Sequence, residues 1–584
     1  MPQQPETAED LLAALHGAGL RRGGLLAMSL APGVGLGVAE PGGGRWALPT
    51  GEPAQVVARL ERDVRPRWVW WSQQTPAELT RTGLRVATCW DVVAVHRLLF
   101  GGWRAEPALV WAALHDLDPA SVPGTGQLDL FGDSGDEGTD PEDPVRPDRH
   151  LRPEWTGGGW ARDADRLASW AATALAACAL QRRRLAAVSA AGDVGATVRS
   201  ESAAELLCAE LSVDGLPIDL DRAEQIIASF AGPRPRDAAD ATLLRERRDS
   251  AVLKLVPNPD GIDLRNPAQV RELLARVGID VPDTRSWRLE RFRGAHPVVE
   301  ALLAWRKAER IATTYGYDWL ARNVGVDARL RGAWSGSDGA AGRMTAQAGL
   351  HNLPADLRPA VAAGPGRVFV RADLGQIEPR VLAAISGDRA LARATQDDDL
   401  YAPVAARLRV ERPIAKVAVL AAMYGQTSGS AGQALQGLEA AYPVAMRYLR
   451  DAYDSGRAGR DVRTYGGRLV RMWPTPAALD AEQERAAVAG RGRYARNAVV
   501  QGAAAELFKA WAVTVRARGL PWQATVVLCL HDELLVHVPV EHGAAVRRLL
   551  TECLQEATSG WAPDGSVRFV ADVSVIDRWS EAKA

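Results

Sequence analysis

The segment VFVRADLGQIEPRVLAAISGD, Val368–Asp388, is the place to begin. It opens as an apolar, β-rich run, reaches Asp373 at its end, and then turns helical. A carboxylate at the exit of a buried strand is well placed to hold a metal, because the strand fixes it and the backbone beyond it is open. A second apolar stretch, ATVVLCLHDELLVHVPV, Ala524–Val540, reads as a hairpin with His531, Asp532 and Glu533 at its centre. Three adjacent polar residues inside two apolar strands are costly unless they form a turn or a site. Taken singly, either segment is equally a charged turn.

A third stretch, RPIAKVAVLAAMYG, Arg412–Gly425, spaces Arg412, Lys416, Leu420 and Tyr424 at intervals of four. On a helix these residues form one slowly drifting stripe roughly 18 Å long. Two cations, an apolar residue and an aromatic make a face for an elongated anionic ligand, or else an amphipathic helix whose stems cover core. Together, two strand-borne aspartates and this stripe supply the parts for phosphoryl transfer. Paired carboxylates hold two metals about 3.5–4 Å apart, and cations neutralise the departing phosphates.

Composition sets the frame. A chain of 584 residues is too long for one core. Hydrophobic and charged fractions of 47% and 24% are those of a globular protein, and the net charge of −1 excludes a global basic signature. Nucleic-acid binding therefore needs local asymmetry. Lysine occurs only at Lys254, Lys307, Lys416, Lys509 and Lys583, so Lys416 stands out among the arginines. Cys89, Cys178, Cys208, Cys529 and Cys553 are scattered, which argues against a zinc site or disulfide framework and fits a reducing compartment. No signal peptide and no membrane-spanning run is apparent, so a cytoplasmic protein is expected.

Along the chain, residues 24–117 read as mixed α/β, and the Gly-, Pro- and Asp-rich segment 121–155 reads as a disordered acidic linker. Residues 201–323 read as mostly helical, with strands and helices mixing again from 329 onward.

The order of motifs from Arg343 onward resembles the A family of DNA polymerases, the bacterial polymerase I type. AAGRMTAQAGLHNLP resembles that family's TGRLSS…LQNIP segment, and DLGQIEPRVLA is similar to its first motif, usually DYSQIELR. RPIAKVAVLAAMYG resembles R-x3-K-x7-YG on the mobile fingers helix, and RYARNAVVQGAAAELFKAW resembles the R-x3-N-x3-QG helix. VRTYGGRLVRMW and LHDELLVHVP resemble the GR-containing fingers segment and the third motif. The resemblance implies an α/β multidomain right-hand polymerase with an antiparallel palm sheet and helical fingers and thumb. A ribonuclease H-like, exonuclease-type α/β domain would precede it at 1–200. The thumb would span 201–325, the palm 326–384 and 493–584, and the fingers 385–492.

On this resemblance Asp373 and Asp532 would bind two Mg²⁺ ions, with Mn²⁺ able to substitute, and Glu533 would support them. Arg412 and Lys416 would hold the triphosphate, Lys416 also protonating the leaving group. Tyr424 would lie beside the nascent base pair, with Gln376 and Leu420 also in the nucleotide site, and Glu378 would crowd a 2′-hydroxyl. Arg343, Asn352, Arg493, Asn497, Gln501 and His531 would contact primer–template DNA. A monomer acting on DNA and dNTPs is expected, with no membrane partner. The competing expectations are a primer–template binding protein that has kept the fold and a single-subunit RNA polymerase relative, against which Glu378 argues.

Departures accompany the matches. Leu420 stands where Phe or Tyr is usual, losing ring stacking. Leu374 and Gly375 replace Tyr-Ser, Pro379 replaces leucine, and Pro413 replaces a second arginine. In the N-terminal domain, Ser29 and Ala31 stand where the exonuclease's DxE pair is expected and Thr75 near its second aspartate, leaving Asp163. One carboxylate cannot hold two cations, so no proofreading is expected. No 5′-nuclease domain is recognised, and nick translation is expected to need a separate enzyme. Within the acidic linker, QLDLF resembles the pentapeptide by which bacterial polymerases bind the sliding clamp, with Gln127, Leu128, Leu130 and Phe131 as its contacts.

Overall fold

The computed structural model describes residues 2–123, 142–425, 431–475 and 480–582, and the QLDLF motif at Gln127–Phe131 lies outside them. The chain forms two compact units. One comprises Met1–Asp214, Ala333–Thr345 and Val370–Val575, the other Gly215–Gly332, Ala346–Phe369 and Ile576–Ala584.

The first unit begins with a five-stranded mixed sheet in the order Arg45–Pro49, Gly35–Ala39, Leu25–Ala31, Arg67–Trp70, Thr88–Asp91. Leu25–Ala31 runs antiparallel to Gly35–Ala39 and parallel to Arg67–Trp70. The helix Ala164–Leu185 lies on this sheet, and glycine makes that approach possible. A Cβ at Gly37 would fall 2.0 Å from the Ala168 backbone nitrogen. Asp163 caps the same helix, accepting the Arg166 N–H at 2.8 Å.

Part of the segment expected to be disordered is packed structure. Between 142 and 155, Leu151 and Trp155 are buried in the core beside Trp111 and Trp170. Arg166 pairs with Glu142 at 2.8 Å. Two large apolar side chains in an otherwise polar stretch are enough to bury it.

The span expected for the thumb begins inside the helix Val194–Asp214. Helix Val194–Asp214 belongs to the first unit, because its acids are buried against that unit's cations. Glu201 pairs with Lys509 at 2.5 Å and with Arg468, and Glu210 pairs with Arg516 at 2.6 Å. Burial works against the Glu201 charge, but the two cations outweigh it and hold its pKa below the usual range. Such pairs cost much to break from one side.

A four-stranded sheet runs in the order Thr525–Leu530, Glu533–Pro539, Arg367–Leu374, Ala571–Ile576. Its hairpin closes tightly, with Leu530 opposite Glu533, so His531 and Asp532 form the turn. Every residue of Glu533–Pro539 is buried. Behind it the helix Ala481–Gly519 runs for 39 residues. A helical layer, Ile377–Ser386 through Pro443–Arg457, packs around Ala415, Ala418, Ala422, Met423 and Leu449.

Glu506, on the long helix, is buried and accepts hydrogen bonds from the Thr464 hydroxyl and the Gly466 N–H. Burial pushes its pKa up to about 7. The folded state thus holds a proton that the unfolded chain releases near its ordinary pKa. The resulting stability is present at acid pH and is lost as pH rises towards 7. The unfolding temperature is expected to fall between pH 5 and 8, by an amount equivalent to about 2–3 kcal/mol. Glu506→Gln should flatten that slope, and an unchanged slope in thermal melts would refute the assignment.

The second unit is helical, with Ala238–Leu253, Pro267–Arg276 and Pro297–Thr314 around Val252, Leu273, Leu302 and Trp305, and with Leu220–Ala231 packed on Pro297–Thr314. Arg265 ties it together, bonding Asp249 at 2.9 Å and Glu309 at 2.7 Å. All five cysteines are buried, unpaired thiols, and burial raises the pKa of each. Among the described residues no helix is long and apolar enough to cross a membrane.

Candidate active site

The strand Arg367–Leu374 delivers Asp373 to its end, and the neighbouring hairpin delivers Asp532 to its turn. The backbone locks the two together, since the Leu374 N–H donates to the Asp532 carbonyl at 2.8 Å. Asp532 reaches solvent, yet the mass of protein around it, then the charges of Asp373 and Glu533, push its pKa up to about 6. His531 adopts φ 34°, the left-handed region, as so tight a turn requires. Burial and the Arg343 charge lower its pKa.

Sequence reasoning passed over Arg371. It is 2% exposed, on the same face of the strand as Asp373, two residues away. Its Nε donates to Glu533 at 2.7 Å and its Nη2 to Asp373 Oδ2 at 2.5 Å. Burial opposes its charge, but Glu533 and Asp373 outweigh that and raise its pKa. The signal was there: an arginine in the middle of an apolar strand needs a buried partner.

Glu378 and Tyr424, 46 positions apart, meet: the Tyr424 hydroxyl donates to Glu378 Oε2 at 2.8 Å. Arg343 donates to the other Glu378 oxygen at 2.8 Å. Burial, the Glu378 charge and that hydrogen bond raise the Tyr424 pKa, with Gln501 also bonding the phenol. Through Glu378, whose charge also acts on Asp532, this group joins the aspartates.

Arg412 opens the helix Arg412–Tyr424, with proline tolerated beside it in the first turn. Its guanidinium forms two bonds to Asp399, at 2.5 and 3.2 Å, which lower the Asp399 pKa. Lys416 is exposed one turn on, and Leu420 packs its side chain against the helical core. Arg493 is exposed on the long helix beside Gly425, which takes φ 72° to end the preceding helix. Asn497 buries its Oδ1 without a hydrogen-bond partner.

Two further expected site residues have bonds of their own. Gln376 takes φ 48°, and its side-chain oxygen accepts from Arg380 at 3.1 Å and from the Leu400 N–H at 3.2 Å. Asn352, in the second unit, is exposed, and its backbone carbonyl accepts from Arg310 at 2.6 Å and from the Tyr315 hydroxyl at 2.8 Å. Arg380, unremarked in the sequence, is a buried hub. It donates to the carbonyls of Gly375, Thr395, Asp397, Asp398 and Arg568.

Among the described residues no set of three or more His, Cys, Asp or Glu side chains is arranged to hold a metal. Two carboxylates nonetheless suffice for Mg²⁺, which keeps waters and takes further oxygens from substrate phosphates. Beyond the burial that chiefly raises the Asp532 pKa, repulsion from Asp373 and Glu533 adds to it, and that concentration of negative charge fits a divalent cation there. In the N-terminal sheet, Ser29, Ala31 and Thr75 line one cavity of about 810 Å³ with Trp71, Trp160 and Trp170.

Comparison with known proteins matches residues 258–581, more than half of the chain, to the model of DNA polymerase family A. The thermostable DNA polymerase I of Thermus filiformis is 29% identical over 58% of this chain and 44% of its own length. DNA polymerase I of Chloroflexus aurantiacus is 30% identical over 50% of this chain and 33% of its own. The chain thus spans less than half the length of these relatives. A solved structure, the POL domain of Pol1 from M. smegmatis in complex with DNA primer-template and dNTP, shares the fold. It has a TM-score of 0.69 and 22% identity, covering 99% of this chain and all of that one. The match over residues 258–581 shows that the chain belongs to DNA polymerase family A.

Proposed function

We propose that the chain is a template-directed DNA polymerase that adds dNTPs to a primer 3′-hydroxyl. One observation carries the reading: Asp373 and Asp532, 159 positions apart in sequence, are held side by side by the Leu374–Asp532 backbone bond. Divalent cations, Mg²⁺ with Mn²⁺ able to substitute, would be held by Asp373 and Asp532 and would supply Lewis acidity at the 3′-hydroxyl and the triphosphate.

The chain's own residues do the rest. Glu533 steadies the acidic floor. Arg412, leaving Asp399, binds phosphate, and Lys416 binds phosphate and donates a proton to the departing pyrophosphate. Glu378, held by Arg343 and Tyr424, fills the space of a 2′-hydroxyl. Tyr424 gives its place to the templating base as the nucleotide enters. Leu420 supplies apolar contact, and Gln376 positions the sugar site through Arg380. Arg343, Asn352, Arg493, Asn497 and Gln501 hold the primer–template, some of them at minor-groove acceptors shared by all correct pairs, and His531 contacts the primer end.

We further read the N-terminal sheet as a degenerate ribonuclease H-like exonuclease domain without proofreading. Serine, alanine and threonine in its cavity support this. The role is gap filling or repair by a cytoplasmic, nucleoid-associated monomer. Gln127–Phe131 tethers it to the sliding clamp. Clamp pulldown should lose at least tenfold of the bound polymerase on joint Leu130→Ala and Phe131→Ala change, and equal retention would reject the tether.

Primer extension with dNTPs and rNTPs in parallel tests the main reading. Extension with dNTPs is expected. No extension would favour a primer–template binding protein, and preferential rNTP use would favour a transcriptase.

A further inference from the structure

Arg371 is a cation built into the carboxylate floor. It is buried, it approaches Asp373 at 2.5 Å and Glu533 at 2.7 Å, and it shares a strand face with Asp373. Asp532, by contrast, is surrounded by the charges of Asp373, Glu533 and Glu378. The guanidinium is therefore asymmetrically placed, neutralising one side of the site and leaving the other acidic. Its planar fork suits this bridging, since two of its donors engage two different carboxylates while a lysine offers only a point charge.

We propose that Arg371 sets the divalent-cation affinity of the site by competing for the Asp373 carboxylate. This rests on the reading that Asp373 and Asp532 hold the metal. A carboxylate oxygen donated to a guanidinium is withdrawn from a metal, and the fixed positive charge repels the incoming ion over a few ångströms. The protein alone thus binds divalent ions weakly. Full occupancy comes with a nucleotide triphosphate, whose phosphates bring both negative charge and ligands. Arg371 acts as a positioning residue: in the ion's absence it keeps Asp373 and Glu533 in place, so the floor does not spring apart through self-repulsion.

The test is Mn²⁺ binding to the full chain without DNA or nucleotide, followed by electron paramagnetic resonance of unbound Mn²⁺. Wild type, Arg371→Gln, Arg371→Lys and Asp373→Asn would be compared, each checked by circular dichroism and thermal melting. Arg371→Gln should bind Mn²⁺ about tenfold tighter than wild type. Arg371→Lys, which keeps a charge but cannot bridge both acids, should fall between them and serves if the glutamine variant does not fold. Asp373→Asn should abolish even the weak binding of wild type. A merely structural arginine would instead leave affinity unchanged or lower when removed, and either result in a folded variant would overturn the proposal. Binding that is lost in Asp373→Asn but insensitive to Arg371 would sink the competition alone. Absence of Mn²⁺ binding in every variant would overturn the metal site as well.

Discussion

Asp532→Asn is expected to reduce single-turnover nucleotide incorporation by roughly a thousandfold or more while leaving the fold intact. Both halves of that result come from the turn. Asp532 sits at the exposed tip of a hairpin whose strands bury Val526, Leu528, Leu534 and Val536, so the side chain contributes little packing. Burial first, then repulsion by Asp373 and Glu533, raises its pKa to about 6. An amide of the same shape relieves that repulsion, so the unfolding temperature should hold or rise. Loss of chemistry without loss of stability is the signature of a group retained for charge. Rapid-quench extension beside a thermal melt measures both, and activity within tenfold of wild type would remove Asp532 from the site. Asp373→Asn should cost as much activity, but with a different structural result, because it also withdraws a partner from buried Arg371.

Arg380→Met should destabilise the protein by about 3–5 kcal/mol, a large effect for a residue outside the chemistry. The side chain is completely buried, and burial lowers its pKa to about 10. Among the described residues no carboxylate bonds it directly. Backbone carbonyls surround it instead, those of Thr395, Asp397, Asp398 and Arg568 among them, and methionine would leave these acceptors without a donor. Arg380→Lys should recover little, since one ammonium cannot span acceptors arranged for a planar fork. The same contacts hold the segment bearing Asp399, the partner of Arg412, so phosphate binding should weaken along with stability. Chemical denaturation with a loss under 1 kcal/mol would show the hub to be dispensable.

The aspartates were legible because strand and hairpin patterns are local and because a carboxylate in apolar surroundings demands a reason. Arg371 shows where that logic had more to give: it breaks the same strand pattern as forcefully as Asp373, yet its partner Glu533 lies 162 positions away. Gln376 was given by resemblance alone: a left-handed backbone turns its side chain to Arg380 and Leu400, and no local pattern reports such a turn. The helix Val194–Asp214 looked continuous with the helices that follow. Its buried acids, paired with arginines and a lysine some 270–310 positions later, and its apolar residues Val198 and Leu206 in the N-terminal cores tie it to the first unit. Composition misjudged 142–155 because an average over many polar residues conceals one leucine and one tryptophan.

The burial of every native sulfhydryl has a practical corollary for spectroscopy. Maleimide dyes attack thiolates, and these five are both shielded and reluctant to ionise. A reporter cysteine introduced at Val417, 55% exposed on the helix that carries Lys416, would therefore take the label selectively in an otherwise unaltered chain. Fluorescence could then follow that helix during nucleotide addition without a cysteine-free background.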